Sequence, residues 1–210
     1  MMTPHPTARL TISLTVITGL AWVAAQLTGT NAWVAEQAGF IPLRFSGVAD
    51  GFAIPALLTP FSATLVHGDV MHVAFNLIML VYCGRAVEHV LGTVPLALLY
   101  VVGAAAAAAA QYLVNPSSPV PMIGASGAIS AVLAVYALLF SRNEVKAIGP
   151  VPAHWVRALW LAAGWTGVQW LLGFATSRGN YQIATAAHVG GFLVGLALAR
   201  PLLAWRYRSS

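Results

Sequence analysis

Charge is what this sequence has least of. Ten Lys and Arg and five Asp and Glu make 7% of the 210 residues, where an ordinary soluble domain carries about 25%. With 59% hydrophobic residues, that shortage excludes a soluble globular domain and a disordered chain. Cysteine is almost missing as well: Cys83 alone excludes an internal disulfide framework and a thiolate metal cluster. The sequence is basic, with a formal net charge of +5, but ten scattered cations make no phosphate-tracking stripe, so nucleic acid is excluded as a partner. What is left is a small polytopic membrane protein whose first partner is the lipid bilayer.

The apolar runs give the layout. A membrane-spanning helix needs roughly 20 mostly apolar residues, because the hydrocarbon core is about 30 Å thick and each residue rises about 1.5 Å. Stretches 10–28, 70–90, 94–114, 122–140, 156–175 and 183–204 qualify. The expected fold is therefore all-α: a six-transmembrane-helix bundle forming one membrane domain over 10–204, after a short cytoplasmic N-terminus (1–9) and before a cytoplasmic tail (205–210). Residues 29–69, with Pro42, Pro55 and Pro60, are too long and too apolar for a simple turn and read as a structured loop in the interface. The first span reads as a retained helix: its basic flank is Arg9 alone, and its apolar run exceeds the roughly 7–15 residues of a signal-peptide core.

Basic residues set the orientation. With the N-terminus in the cytoplasm, Arg9, Arg85, Arg142, Lys146, Arg157, Arg200, Arg206 and Arg208 fall at cytoplasmic ends, and only Arg44 and Arg178 lie outside, as the positive-inside rule requires. Helices two, four and six then begin on the outer face. The absence of a transit-type N-terminus favours a bacterial inner membrane.

Polar side chains within apolar spans are costly and default to function. They concentrate near the starts of the even-numbered helices: His72 and Asn76 in the second, Ser126 within Gly124-Ala125-Ser126-Gly127 in the fourth, and His188 in the sixth. The topology puts all of them in one leaflet at similar depth. A serine hydroxyl becomes a nucleophile when a base takes its proton, and neutral imidazole is the usual base; Ser126 and His188 supply that pair. Backbone N–H groups at the start of a helix lack helical partners and can face a developing oxyanion. His72 and Asn76, four apart and on one helix face, add side-chain donors. A nucleophile, a base and an anion hole suit acyl transfer to water, the hydrolysis of a peptide bond within the membrane, which needs no metal or cofactor. Ala187, Gly191 and Gly195 on helix six, and Ser126, Ser130 and Ala134 on helix four, form small-residue stripes that permit close helix approach.

These residues resemble the rhomboid family of intramembrane serine proteases. The likeness rests on His72-Val73-Ala74-Phe75-Asn76, on Gly124-Ala125-Ser126-Gly127, and on Ala187-His188-Val189-Gly190-Gly191 through Gly195. It extends to Gly84-Arg85-Ala86-Val87-Glu88 with Leu91-Gly92, and to His67-Gly68, in order from about residue 55 to 200. The resemblance implies a Ser–His dyad with no acidic third member: Ser126 as nucleophile and His188 as base. Asn76, His72 and the Ala125 and Ser126 backbone N–H groups would form the oxyanion hole. It also implies single-pass transmembrane protein substrates, with helix five and the loop around Arg178–Gln182 as lateral gate and cap. Gly124, Gly127, Ala187, Gly191 and Gly195 are the expected helix-packing residues.

Two departures stand out. The Trp-Arg pair of some members is replaced near Leu58-Thr59, and the aromatic often found four residues after the serine is Ser130. His188 is then expected to be held by another aromatic, or less firmly. His67 reads as a loop or cavity-rim residue, with support of the active site as the alternative, and Asp69 as a helix N-cap. Two other functions remain open: a catalytically inactive rhomboid-like protein that binds transmembrane helices, and a small transporter. The presence of Ser126, His188, Asn76 and His72 together speaks against the first, and the lack of paired intramembrane charges or repeated halves against the second.

Overall fold

A computed structural model describes residues 8–46, 51–140, 145–176 and 184–208. The regular elements among the described residues are helical: α1 Arg9–Thr28, α2 Asn31–Ala38, α3 Thr59–Ser62, α4 Val70–Met79, α5 Arg85–Leu91, α6 Thr93–Val114, α7 Ser126–Phe140, α8 Ala153–Thr176 and α9 Thr185–Arg206. A π-helical turn, Leu80–Gly84, joins α4 to α5, so Val70–Leu91 runs as one rod. Among the described helices, Arg9–Thr28, Val70–Leu91, Thr93–Val114 and Thr185–Arg206 are long and apolar enough to cross a membrane. The other two expected spans differ for different reasons. α7 has only 15 residues, and α8 has 24 but dilutes its apolar run with Arg157, Gly164, Gly167 and Gln169. Arg142 and the loop around Arg178–Gln182 lie outside the described residues.

The core sits where α6, α7 and α9 meet. Alanines and glycines let these backbones approach, with Ala104, Ala107, Ala128, Ala131 and Ala134 nearly inaccessible. Leucine and valine from the α4–α5 rod (Leu80, Val87, Leu91) close the cluster with Leu96, Leu99, Val132 and Val135. Outward, the chain exposes large apolar side chains such as Leu20, Phe75, Val94, Trp160 and Leu171. That surface fits a hydrocarbon solvent and would aggregate in water.

Buried polar contacts fix the ends. α1 has no capping side chain of its own; the buried carboxylate of Glu88 on α5 accepts its first-turn N–H groups from Leu10 and Thr11, together with the hydroxyls of Thr11 and Thr93. A carboxylate is favoured there because those N–H groups have no helical partner and carry the positive end of the helix dipole. Gly92 turns the chain from α5 into α6 at φ +87°, a conformation glycine adopts without steric cost.

The first loop is structured: α2, a 3-10 turn at Pro42–Ser46 and the helical stretch Ala56–Leu65 fill it. It reaches the chain ahead of α7 through paired bonds between Phe40 and Met122 (2.9 and 2.8 Å), and Gly124 N–H donates to Ala63 O. α7 therefore starts at Ser126, where an origin of the fourth span at 122 is expected from hydropathy. Met122 is committed to Phe40, and Gly124 breaks the approach at φ +108°.

Candidate active site

Three elements converge on one spot. Ser126 is the first residue of α7, His188 lies in the first turn of α9, and Asn76 projects from α4. His188 Nε2 stands 2.7 Å from Ser126 Oγ. These two side chains and Asn76 share a cavity of about 140 Å³ with Phe75, Met79, Ile129, Ser130, Leu133, Trp165 and Gln169.

His72 is positioned from both sides. Asp69 caps α4 by accepting the His72 backbone N–H at 2.9 Å, and the ring lies against Gly124, where any Cβ would meet His72 Nε2 at 2.5 Å. Gly124 thus makes room for His72 of α4 in addition to turning the chain, from a place ahead of α7 and not within a helix. Asn76, 6% exposed, donates one amide N–H to His72 O at 2.8 Å; its second N–H remains for another acceptor. Ser126 N–H opens α7 and has no helical partner by position. The Ala125 N–H, expected among the oxyanion donors, is directed elsewhere: it donates to His67 Nε2 at 3.4 Å. The turn at Gly124 aims it inward at that ring.

His67 is more than a rim residue. It is 3% exposed, packs edge-on against His72 with ring centroids 4.8 Å apart, and holds the turn that presents Ser126. Burial, and secondarily the neighbouring His72, lower its pKa from 6.5 to about 4. The folded protein therefore keeps His67 neutral while the unfolded chain protonates it below about pH 6.5. Its share of stability is complete above pH 6.5 and is lost as pH falls toward 4, amounting to about 3 kcal/mol at the acid end. Thermal unfolding in detergent is expected to drop in midpoint between pH 7.5 and pH 4.5, and His67→Gln, which retains an acceptor for Ala125, to flatten that drop. Identical pH profiles for the two proteins would remove His67 from this role.

Ser130, in the place of the family's aromatic, bonds back to Ser126 O at 2.7 Å and leaves the His188 ring alone. The ring is held from α8: Gln169 Oε1 lies 2.7 Å from His188 Nδ1. One turn earlier the Trp165 indole N–H donates to His188 O at 3.3 Å and stacks on Phe192 at 5.1 Å. Sequence reasoning does not single out Gln169. The signal existed, a carboxamide in the middle of an apolar helix, but its partner could be known only from how α8 lies on α9.

Close packing of α7 on α9 brings the pair together. A Cβ at Gly191 would strike Gly127 O, and one at Gly195 would strike Ala131 O. The α7 residues facing these glycines are Gly127 and Ala131, with Ser130 Cβ 3.4 Å from a Cβ at Gly191; of the stripe Ser126, Ser130 and Ala134 expected from spacing, Ser130 thus meets Gly191 and Ser126 meets His188. Gly127 itself lies against Ala107 of α6 and the backbone of the buried Ala187.

The profile of the Rhomboid domain matches residues 56–205. The rhomboid protease GlpG of Pectobacterium atrosepticum is 31% identical over 195 residues, covering 90% of this chain and 61% of that protein. GlpG of Haemophilus influenzae is 32% identical over 136 residues, 64% of each, and that of Salmonella choleraesuis 31% over 140 residues, 66% of this chain and 46% of that one. The chain spans under two thirds of the length of these relatives. With the domain profile covering most of its length and the apolar helices to match, this chain belongs to the rhomboid family and is an integral membrane protein.

Proposed function

We propose that the protein is an intramembrane serine endopeptidase that cleaves single-pass transmembrane proteins in or near their membrane segments. The observation that carries this reading is the 2.7 Å contact between His188 Nε2 and Ser126 Oγ, two residues far apart in sequence meeting in a cavity. His188 takes the hydroxyl proton as Oγ attacks the scissile carbonyl, and the imidazolium then protonates the leaving amine; water reverses the sequence on the ester. Ser126 N–H, the second N–H of Asn76 and His72 are the donors for the oxyanion. The reading agrees with the similar GlpG proteins, which are named rhomboid proteases.

Depth follows from helix length. The 15 residues of α7 rise about 22 Å, less than the roughly 30 Å of hydrocarbon. With the Phe140 end at one interface, Ser126 lies below the other, and the first loop and the segment before α7 cover it. Arg9, Arg85, Lys146, Arg157, Arg200 and Arg206 mark the end of the bundle away from the dyad. The site accordingly opens to the outer face of a bacterial inner membrane, with both termini cytoplasmic.

A fluorophosphonate probe tests the chemistry without a known substrate. The folded protein in detergent should acquire one adduct, mapped by mass spectrometry to Ser126, and heat-unfolded protein none. An adduct at another serine, or no adduct on the folded protein, would overturn the reading.

A further inference from the structure

The side chain facing the far nitrogen of His188 belongs to neither α7 nor α9. Gln169 stands on α8, 3% exposed, with Oε1 2.7 Å from Nδ1. α8 packs chiefly on α9 and meets α7 only slightly, and around Gln169 it is tied to α9 by the Trp165 bond to His188 O, by Trp165 on Phe192, and by the Thr185 hydroxyl donating to Gln169 O at 3.4 Å. We propose that Gln169 is the positioning residue of the dyad: its carbonyl accepts the Nδ1 proton of His188 and so keeps the Nε2 lone pair facing Ser126. This inference rests on the protease reading and deepens it.

The argument is one of proton counting. A neutral imidazole carries a single N–H, on either nitrogen. With that proton on Nε2, the ring would present a donor to Ser126 Oγ and could not accept the hydroxyl proton. A carbonyl oxygen at Nδ1 selects the productive form, since only Nδ1–H can donate to it, and it remains bonded when Nε2 gains the second proton in the transition state. A carboxamide has two faces, however, and an inverted Gln169 would offer NH₂ to the Nδ1 lone pair and select the wrong form. The buried setting, in which its neighbours restrict the amide, is what makes the choice consequential. Among the described residues the base therefore has no acidic partner yet has an orienting one. This partner takes over the holding role that Ser130, bonded to its own helix, does not perform.

Two substitutions separate orientation from packing. Gln169→Met preserves length and removes the acceptor; Gln169→Glu restores an acceptor that cannot invert. Steady-state cleavage of a single-pass transmembrane substrate by Gln169→Met is expected to show kcat about 10–100-fold lower with KM unchanged, below the roughly 10⁴-fold loss seen when a catalytic histidine is held in the wrong tautomer. Fluorophosphonate labelling of Ser126 should slow in parallel. Gln169→Glu should recover kcat to within about threefold of wild type at the optimum pH, with both variants compared at matched thermal midpoints. Gln169→Met within twofold of wild type, or Gln169→Glu as slow as Gln169→Met, would overturn the proposal. Ser126→Ala measured alongside keeps the two readings apart: if it is inactive while Gln169→Met is normal, the protease reading stands and the orienting role falls. If Ser126→Ala cleaves normally, the protease reading itself falls.

Discussion

Ser126→Ala is expected to lower substrate cleavage by on the order of 10⁴-fold or more, His188→Ala to do the same, and the double variant to be no slower than either alone. On the proposed mechanism the nucleophile and its base act as one unit: without the hydroxyl there is nothing to deprotonate, and without the imidazole at 2.7 Å the hydroxyl stays protonated. The second loss then finds nothing left to remove. Both variants should fold, though unequally. Ser126→Ala leaves the bond from Ser130 Oγ to the Ser126 carbonyl in place and should unfold at the wild-type midpoint. His188→Ala keeps its backbone bonds to Ala184 and Trp165 but strands the buried Gln169 amide, a cost of about 1–3 kcal/mol. Cleavage rates of the three variants on one purified substrate, with unfolding midpoints beside them, decide the matter. Multiplying losses in the double variant would mean that the two residues contribute separately, and a wild-type rate for Ser126→Ala would end the dyad.

What could be read from the sequence was whatever is chemically conspicuous in an apolar chain. Ser126, His188, Asn76 and His72 stand out because hydrocarbon makes polar side chains expensive, and alternate spans necessarily start on one face. Asp69 as a helix cap was legible for an equally local reason. What could not be read depends on angles and on partners distant in sequence. The π turn at Leu80–Gly84 shifts the helical phase, so that Glu88 reaches α1 while Asn76 stays toward the cavity. No hydropathy window registers such a shift. The late start of α7 needs Phe40 from the first loop. The face of α7 that meets α9 is wider than the stripe expected, taking in Gly127 and Ala131 beside Ser126 and Ser130, because spacing gives the period of a stripe and not its width. Gln169 fails on both grounds: its role depends on the rotation of α8 and on a histidine in the next helix.

The backbone contact of α9 with Gly127 and Ala131 has a consequence of its own. Gly191→Ala and Gly195→Ala, the smallest possible changes, are expected to be among the most damaging substitutions in the protein. A Cβ at Gly195 would lie 2.7 Å from Ala131 Cα and 2.9 Å from its carbonyl carbon, and a Cβ at Gly191 would meet the Gly127 carbonyl with its carbon at 3.0 Å. These neighbours are backbone, so no rotamer change relieves the contact and α9 must move away from α7 by about 1 Å. Overpacking of this kind costs about 1–3 kcal/mol. The functional loss should be greater than the stability loss suggests, because a displacement of about 1 Å between reacting groups can cost about 100-fold in rate. Gly191 is one turn beyond His188, so its alanine variant should remain folded, lose about 100-fold in kcat and label slowly with fluorophosphonate. Gly195, a turn further from the chemistry, should lose more in unfolding midpoint and less in rate. Gly164 and Gly167 of α8 supply the control: nothing lies within 4 Å of a Cβ at either, and alanine there should leave activity unchanged and match or raise stability, alanine being the better helix former. Equal tolerance of alanine at all four positions would mean that close approach of α7 and α9 is not what brings Ser126 and His188 into contact.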